Sequence, residues 1–247
     1  MSRRIKVVLS RDPVMARLIE VVGPCRLEPQ HRHAPFQALV HAIAHQQLSG
    51  VVAGRILGRL CALYAPAAFP EPRALLATNA EQLRAVGFSH AKVRALHDLA
   101  DKCLGGVVPD TAELQALADE AIIERLTQVR GVGRWTVEML LMFQLARPDV
   151  LPVDDYGVRS GFRLAYGLRR LPTPRALRAY GERWQPFRSA AAWYLWRAVD
   201  LAREERLPAP LRPAPRIAQQ RPTTRSPPPR HRADPPPPRR RQRRDPR

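Results

Sequence analysis

The sequence predicts an all-α fold. Apolar residues recur at helical spacing through most segments between residues 36 and 202, strict apolar–polar alternation is scarce, and the breaks between periodic stretches are short. After Pro35, the residues Phe36, Leu39, Val40, Ile43 and Gln47 fall at helical spacing. Beyond Ser49 and Gly50 the pattern resumes with Val51, Val52, Ile56, Leu57 and Leu60, so two helices meet at that break. Further helical patterns cover residues 74–77 with 83–86, then 91–103, 112–118, 120–127, 134–145, 156–168, 174–185 and 189–202. Only the stretch 5–9 reads as an extended piece, and no repeat with a solenoid-like period runs through the chain.

A chain of 247 residues, 45% of them hydrophobic, buries a substantial core and allows one or two domains. Its charge is uneven. From Pro208 to Arg247 there are twelve Arg and two Asp, a net of +10, which leaves +9 of the total +19 for residues 1–207. Thirteen of the 26 prolines lie in the same stretch. With few apolar residues to offset the entropy of ordering, 208–247 reads as a disordered basic tail after a folded region 1–207. A basic body favours a nucleic-acid partner, because each neutralised phosphate releases counterions. An acidic membrane surface is the weaker alternative, and the tail is equally well read as a solvated extension with no dedicated role.

Cys25, Cys61 and Cys103 are odd in number and widely spaced, so they define neither a disulfide framework nor a zinc site. The apolar run 7–9 is too short for a signal peptide, and no stretch of about 18 apolar residues occurs, which predicts a soluble, cytoplasmic protein without a membrane partner. His41 and His45 stand at i, i+4 spacing near His31 and His33. With no Glu after His41 and no third ligand in the pattern, packed or surface histidines are expected rather than a zinc site.

The most informative run is Gln128-Val-Arg-Gly-Val-Gly-Arg-Trp-Thr-Val-Glu-Met-Leu-Leu-Met142, followed by Pro152-Val-Asp-Asp-Tyr156. A short helix ends near Thr127, Gly131 and Gly133 flank Val132 in a turn that leaves the backbone bare, and a second helix starts at Arg134. That is a helix-hairpin-helix, whose amides and helix N-terminus can face a phosphate. A lone Gly-x-Gly is usually only a turn or cap; the acid at fixed distance downstream sharpens the reading.

Together these segments resemble the helix-hairpin-helix DNA glycosylases, and within them the DNA-3-methyladenine glycosylase II branch. The likeness covers roughly residues 10–203. Three further stretches carry it: Phe36-Gln-Ala-Leu-Val-His-Ala-Ile-Ala-His-Gln-Gln-Leu-Ser49, Val86-Gly-Phe-Ser-His-Ala-Lys-Val-Arg94, and Arg183-Trp-Gln-Pro-Phe-Arg-Ser189 leading to Tyr194-Leu-Trp196.

The resemblance implies a two-lobed helical enzyme, one lobe from the early helices and the other holding the hairpin, with the acid in the cleft between. It would be a minimal version without the mixed α/β N-terminal domain of some relatives. It implies DNA contacts at Gly131, Val132, Gly133, Arg134 and Thr136, and a wedge at Gln47 with Leu48, although a capping or cross-linking role for Gln46 and Gln47 fits the residues as well. Asp155 is the implied catalytic carboxylate, and Asp154 reads as a helix N-cap. Trp135 and Trp196 match aromatic pocket positions, Met139 replaces the branch's pocket tyrosine, and Trp184 and Trp193 read as packing. Main-chain carbonyls of Thr127, Val129 and Val132 correspond to a monovalent-cation site, for Na or K. Trp135 stands where strand-cutting relatives carry a lysine, and an indole cannot form a Schiff base.

No cysteine follows Cys103, so the endonuclease III type of iron–sulfur cluster is not expected, nor is a redox cofactor or catalytic metal. The implied activity is hydrolysis of the N-glycosidic bond of alkylated purines, of the 3-methyladenine and 7-methylguanine type, flipped out of duplex DNA by a monomeric enzyme. Two other readings stay open: a glycosylase for a deaminated or oxidised base, and a non-enzymatic DNA-binding module.

Overall fold

The computed structural model describes residues 3–27 and 33–210. The fold is all-α, with no strand among the described residues. In order, the helices are α1 (Arg3–Leu9), α2 (Pro13–Val22), α3 (Pro35–His45), α4 (Gly50–Leu63), α5 (Pro72–Ala77), α6 (Ala80–Val86) and α7 (His90–Leu104). They continue with α8 (Thr111–Ala116), α9 (Asp119–Leu126), α10 (Arg134–Phe143), α11 (Tyr156–Ala165), α12 (Pro174–Gly181), a 3-10 turn (Glu182–Trp184) and α13 (Arg188–Arg203). Of the predicted tail, residues 211–247 lie outside the described residues, as does His31.

Local chemistry explains the starts. Ser49 and Ser89 cap α4 and α7, each hydroxyl accepting the amide three residues on, from Val52 and Lys92, at 3.4 Å. Asp12 caps α2 through the Val14 amide at 3.0 Å, with Pro13 in the first turn. The expected extended piece at 5–9 is corrected: it lies in α1. Leu9 is fully buried and Ile5, one turn back, packs against the core, and so short an apolar run cannot separate strand from helix by periodicity.

Two sets of contacts organise the molecule. In one, α7 packs against α3, α5 and α6, with α4 on α3 and α6, and α10 against α9 and α3. Leu39, Leu60, Leu96 and Leu99 are fully buried here, each worth about 2 kcal/mol of transfer free energy. In the other, α11 lies along α13, α2 packs on α13, and α1 on α2. The division of lobes by chain order is therefore corrected: the first two helices pack with the last ones, and the hairpin helix α10 leans on α3.

The tie between the start of α2 and the region from the end of α11 to the 3-10 turn is polar and buried. Asp12, 5% exposed, accepts hydrogen bonds from Tyr166 Oη (2.6 Å), Tyr180 Oη (3.3 Å) and Trp184 Nε1 (3.1 Å). Burial, and then the Asp12 charge, raise both phenols, Tyr180 to about 12, so both remain donors. Trp184 is thus a buried packing residue, and Trp193 is half-buried with the Arg197 guanidinium 5.7 Å from its ring.

Candidate functional site

The α9–α10 turn presents its backbone outward. Gly131 and Gly133 are exposed, and Gly131 has φ 78°, a left-handed conformation that a side chain would strain. Val129 and Val132 are buried and anchor the turn from below, the Val132 amide donating to the Val129 carbonyl at 3.0 Å. Gly133 caps α10 with no side-chain acceptor, so the first amides of that helix have no partner of their own in the helix. They form a positive terminus suited to an anion.

The Arg134 guanidinium is held by Glu120 and Glu138, and the Thr136 and Val132 side chains are buried, so at these three residues only the main chain is left for an outside ligand. The carbonyls of Thr127, Val129 and Val132 all come from this one turn, while Thr127 Oγ1 turns back to the Ile123 carbonyl at 2.7 Å.

Asp155 stands at the N-terminus of α11, half-buried. Its Oδ1 accepts the Val158 amide at 2.7 Å and Trp196 Nε1 at 2.9 Å; its Oδ2 accepts Trp135 Nε1 at 2.9 Å. Three helices thus meet on one carboxylate. Asp155, not Asp154, is the N-cap, which corrects the expected division of labour: Asp154 is exposed and the cap bond belongs to its neighbour. The capping bond occupies one oxygen and leaves the other to the indole on α10.

Backbone shape permits this convergence. A Cβ on Gly157 would lie 2.8 Å from Trp196 Cδ1, and one on Gly161 would lie 1.8 Å from the Leu195 carbonyl oxygen, so α11 approaches α13 through these two glycines. Phe143 at the end of α10 stacks on Trp196, ring centres 6.0 Å apart and 20° from parallel. Trp135 remains 46% exposed, and Met139, one helical turn further along α10, is half-buried against the core.

Behind the hairpin, a cavity of about 330 Å³ is lined by Glu120, Arg134, Glu138, Asp149, Arg178 and Arg188, among others. Burial raises the Glu138 carboxyl to about 7 against the opposing pull of Arg134.

A second exposed element faces the hairpin. The loop after α3 shows Gln47, exposed with φ 57°, and Leu48, 39% exposed. Gln46 is committed elsewhere: its Nε2 donates to the Gly131 carbonyl at 2.8 Å. Lys92 Nζ donates to the carbonyls of Ala44 and Gln46, both at 2.8 Å, and the Arg130 amide donates to Asp98 Oδ2 at 2.7 Å.

The sequence reading missed these partners, as it missed Phe143 and Gly157. The one visible signal was a lysine in the first turn of an otherwise apolar-faced helix. The His33 and His41 rings lie 4.5 Å apart, and His45 Nδ1 bonds the His41 carbonyl at 2.8 Å. Burial and the neighbouring imidazoles lower His41 to about 4, and no metal-binding group of three ligands occurs among the described residues.

Comparison with known proteins gives a consistent picture. Residues 40–186 match the HhH-GPD superfamily base excision DNA repair protein family. DNA-3-methyladenine glycosylase 1 of Schizosaccharomyces pombe is 40% identical over 192 residues, which are 77% of this chain and 84% of that protein. A solved structure of a 3-methyladenine DNA glycosylase from the same yeast, in complex with abasic DNA, superposes with a TM-score of 0.72 at 39% identity, covering 81% of this chain and 98% of that one. A DNA-3-methyladenine glycosidase from Bacillus halodurans superposes with a TM-score of 0.74 at 34% identity, covering 83% and 92%.

Proposed function

Since this chain belongs to the HhH-GPD superfamily of base excision DNA repair proteins, and within it to the 3-methyladenine glycosylase branch, we propose that it is a monofunctional glycosylase acting on alkylated purines in duplex DNA. The carrying observation is the Asp155 carboxylate, held at once by two indoles and a helix amide at a half-buried position. As the bond from C1′ to a purine N9 breaks, positive charge grows on the sugar. A fixed carboxylate beside it lowers the energy of that charge, or orients the water that adds to C1′. N3- or N7-alkylation places positive charge on the ring, so the base leaves with little acid catalysis. The exposed Trp135 face and the Phe143-backed Trp196 offer electron-rich surfaces to such a ring.

The nucleotide reaches these residues by extrusion from the duplex, with Gln47 and Leu48 entering the gap. The hairpin turn grips one backbone phosphate through main-chain amides, and a Na or K ion on the carbonyls of Thr127, Val129 and Val132 would add positive charge there. DNA is the only partner this scheme requires; the enzyme acts as a monomer, needing neither a redox cofactor nor an iron–sulfur cluster. No helix among the described residues is long and apolar enough to cross a membrane.

Strand cleavage needs an amine at the sugar, and the chain has only Lys6, Lys92 and Lys102. Lys92 is spent on two carbonyls, Lys6 lies on α1, and Lys102 lies in the last turn of α7. The test is incubation with methylated duplex DNA followed by mass analysis of released bases. Free 3-methyladenine or 7-methylguanine is expected, with no covalent adduct on borohydride treatment; absence of any released base refutes the reading.

A further inference from the structure

Two elements that meet DNA in the proposed reading, the Gln47–Leu48 tip and the α9–α10 turn, come from distant parts of the chain. The amide of Gln46 joins them, reaching across 85 residues of sequence to the Gly131 carbonyl. We propose that Gln46 is a positioning residue: by donating to Gly131 while Lys92 grips its own backbone, it fixes the spacing between wedge tip and phosphate-binding turn, so that both engage the strand as one rigid unit. This inference rests on the glycosylase reading.

At the end of α3 the last carbonyls have no partner within the helix. Lys92 Nζ satisfies two of them, those of Ala44 and Gln46, and its positive charge suits a helix C-terminus. The backbone is thereby pinned on both sides of His45, immediately before Gln47 takes its left-handed φ of 57°. A non-glycine residue holds that conformation when its surroundings enforce it.

The far end is equally fixed. Asp98, on the same helix as Lys92, holds the Arg130 amide next to Gly131, and a Cβ on Gly131 would touch the Ala95 Cβ at 3.4 Å. Helix α7 thus carries both elements, and Gln46 closes the link between them.

Fixed spacing matters only when both ends are engaged. An undamaged duplex can use the turn alone, whereas a duplex with a vacated nucleotide uses turn and tip together. Gln46→Ala removes the link, and Gln46→Glu replaces the donor with a carboxylate set against a carbonyl. The measurement is equilibrium affinity of the full chain for a duplex bearing an abasic-site analogue and for the same duplex undamaged.

The Glu variant is expected to lose about tenfold on the abasic duplex while changing undamaged binding by less than about twofold. Lys92→Met should do likewise, Lys92→Arg should restore most of the loss, and Gln46→Ala with Lys92→Met should cost less than the product of the two losses. The proposal is overturned if Gln46→Ala and Gln46→Glu both keep wild-type affinity for the abasic duplex, or if they weaken both duplexes equally. Should the Glu variant not fold, the Ala variant decides. If the wild type itself shows no preference for the abasic duplex, the glycosylase reading fails instead.

Discussion

Asp155 caps α11 and, in the proposed function, also serves the chemistry, and a single substitution separates the two. Asparagine caps helices about as well as aspartate, and its one oxygen can keep the Val158 and Trp196 bonds while its NH₂ faces the exposed Trp135 indole N–H, so Asp155→Asn should cost no more than about 1 kcal/mol of stability. It removes the negative charge, however, and the excision rate constant on a methylated duplex should fall roughly a hundredfold or more. Asp154→Asn, altering an exposed residue without the cap bond, should stay within about twofold of wild type. Retained excision by the first variant would remove Asp155 from the chemistry.

Glu138 gives a second residue-level prediction. With its folded value raised from 4.5 to about 7, the native state binds more protons than the unfolded chain between those pH values. Stability from this group is therefore fully present below about 4.5 and is lost as pH rises toward 7, by about 3 kcal/mol at most. His41, lowered to about 4, acts oppositely, its contribution being lost as pH falls from 6.5. Glu138→Gln should abolish the first trend and leave the second. Denaturant melts of both proteins at pH 5 and pH 7.5 decide it, and equal pH slopes would contradict it.

At the scale of elements, α11 divides its two glycines between function and packing. Gly157→Ala pushes a methyl group into the edge of the Trp196 indole, a side chain that can move, so the bond to Asp155 should loosen and excision fall about tenfold with little loss of stability. Gly161→Ala drives its methyl into the α13 backbone, which cannot yield, and should cost about 3 kcal/mol or more. Thermal melts paired with single-turnover excision separate the two. An unchanged rate for Gly157→Ala would show that indole placement is not limiting.

The same elements show what a sequence carries. The hairpin was readable because Gly131 and Gly133 need a bare turn and an amphipathic helix follows within the same fifteen residues. The bonds from Trp135 and Trp196 to Asp155 were not, since they span 20 and 41 residues and depend on how three helices cross. The assignment of the cap to Asp154 failed because two adjacent acids look alike until backbone geometry chooses one. Helix α2 went unread although Asp12-Pro13 opens it and Gly23 closes it, signals that are local but few when the helix has only ten residues.

For the whole molecule, the question is what keeps the site's second wall in place. Helices α11 and α13, which carry Asp155 and Trp196, belong to the set of contacts that the chain's own start completes through α2. Asp12 ties that set together: one carboxylate caps α2 and receives donors from the residue that ends α11, from α12 and from the 3-10 turn. Its worth lies in what its removal strands. Asp12→Ala leaves two phenols, an indole and an amide without their acceptor in a buried space, and each stranded donor carries a desolvation penalty of about 1 kcal/mol or more.

A loss of about 3 to 4 kcal/mol is therefore expected in urea denaturation, a large share of the stability of a domain this size. Asp12→Asn should recover only part of it, because the amide keeps one acceptor oxygen but turns an NH₂ toward groups that are themselves donors. Below the transition, where either variant is still folded, excision should stay close to wild type, since no Asp12 contact touches Asp155. A variant that melts like wild type would mean that water or rearranged rings satisfy the donors. A folded variant that has lost excision would mean that Asp12 sets the pose of α11 and not merely its adherence to the core.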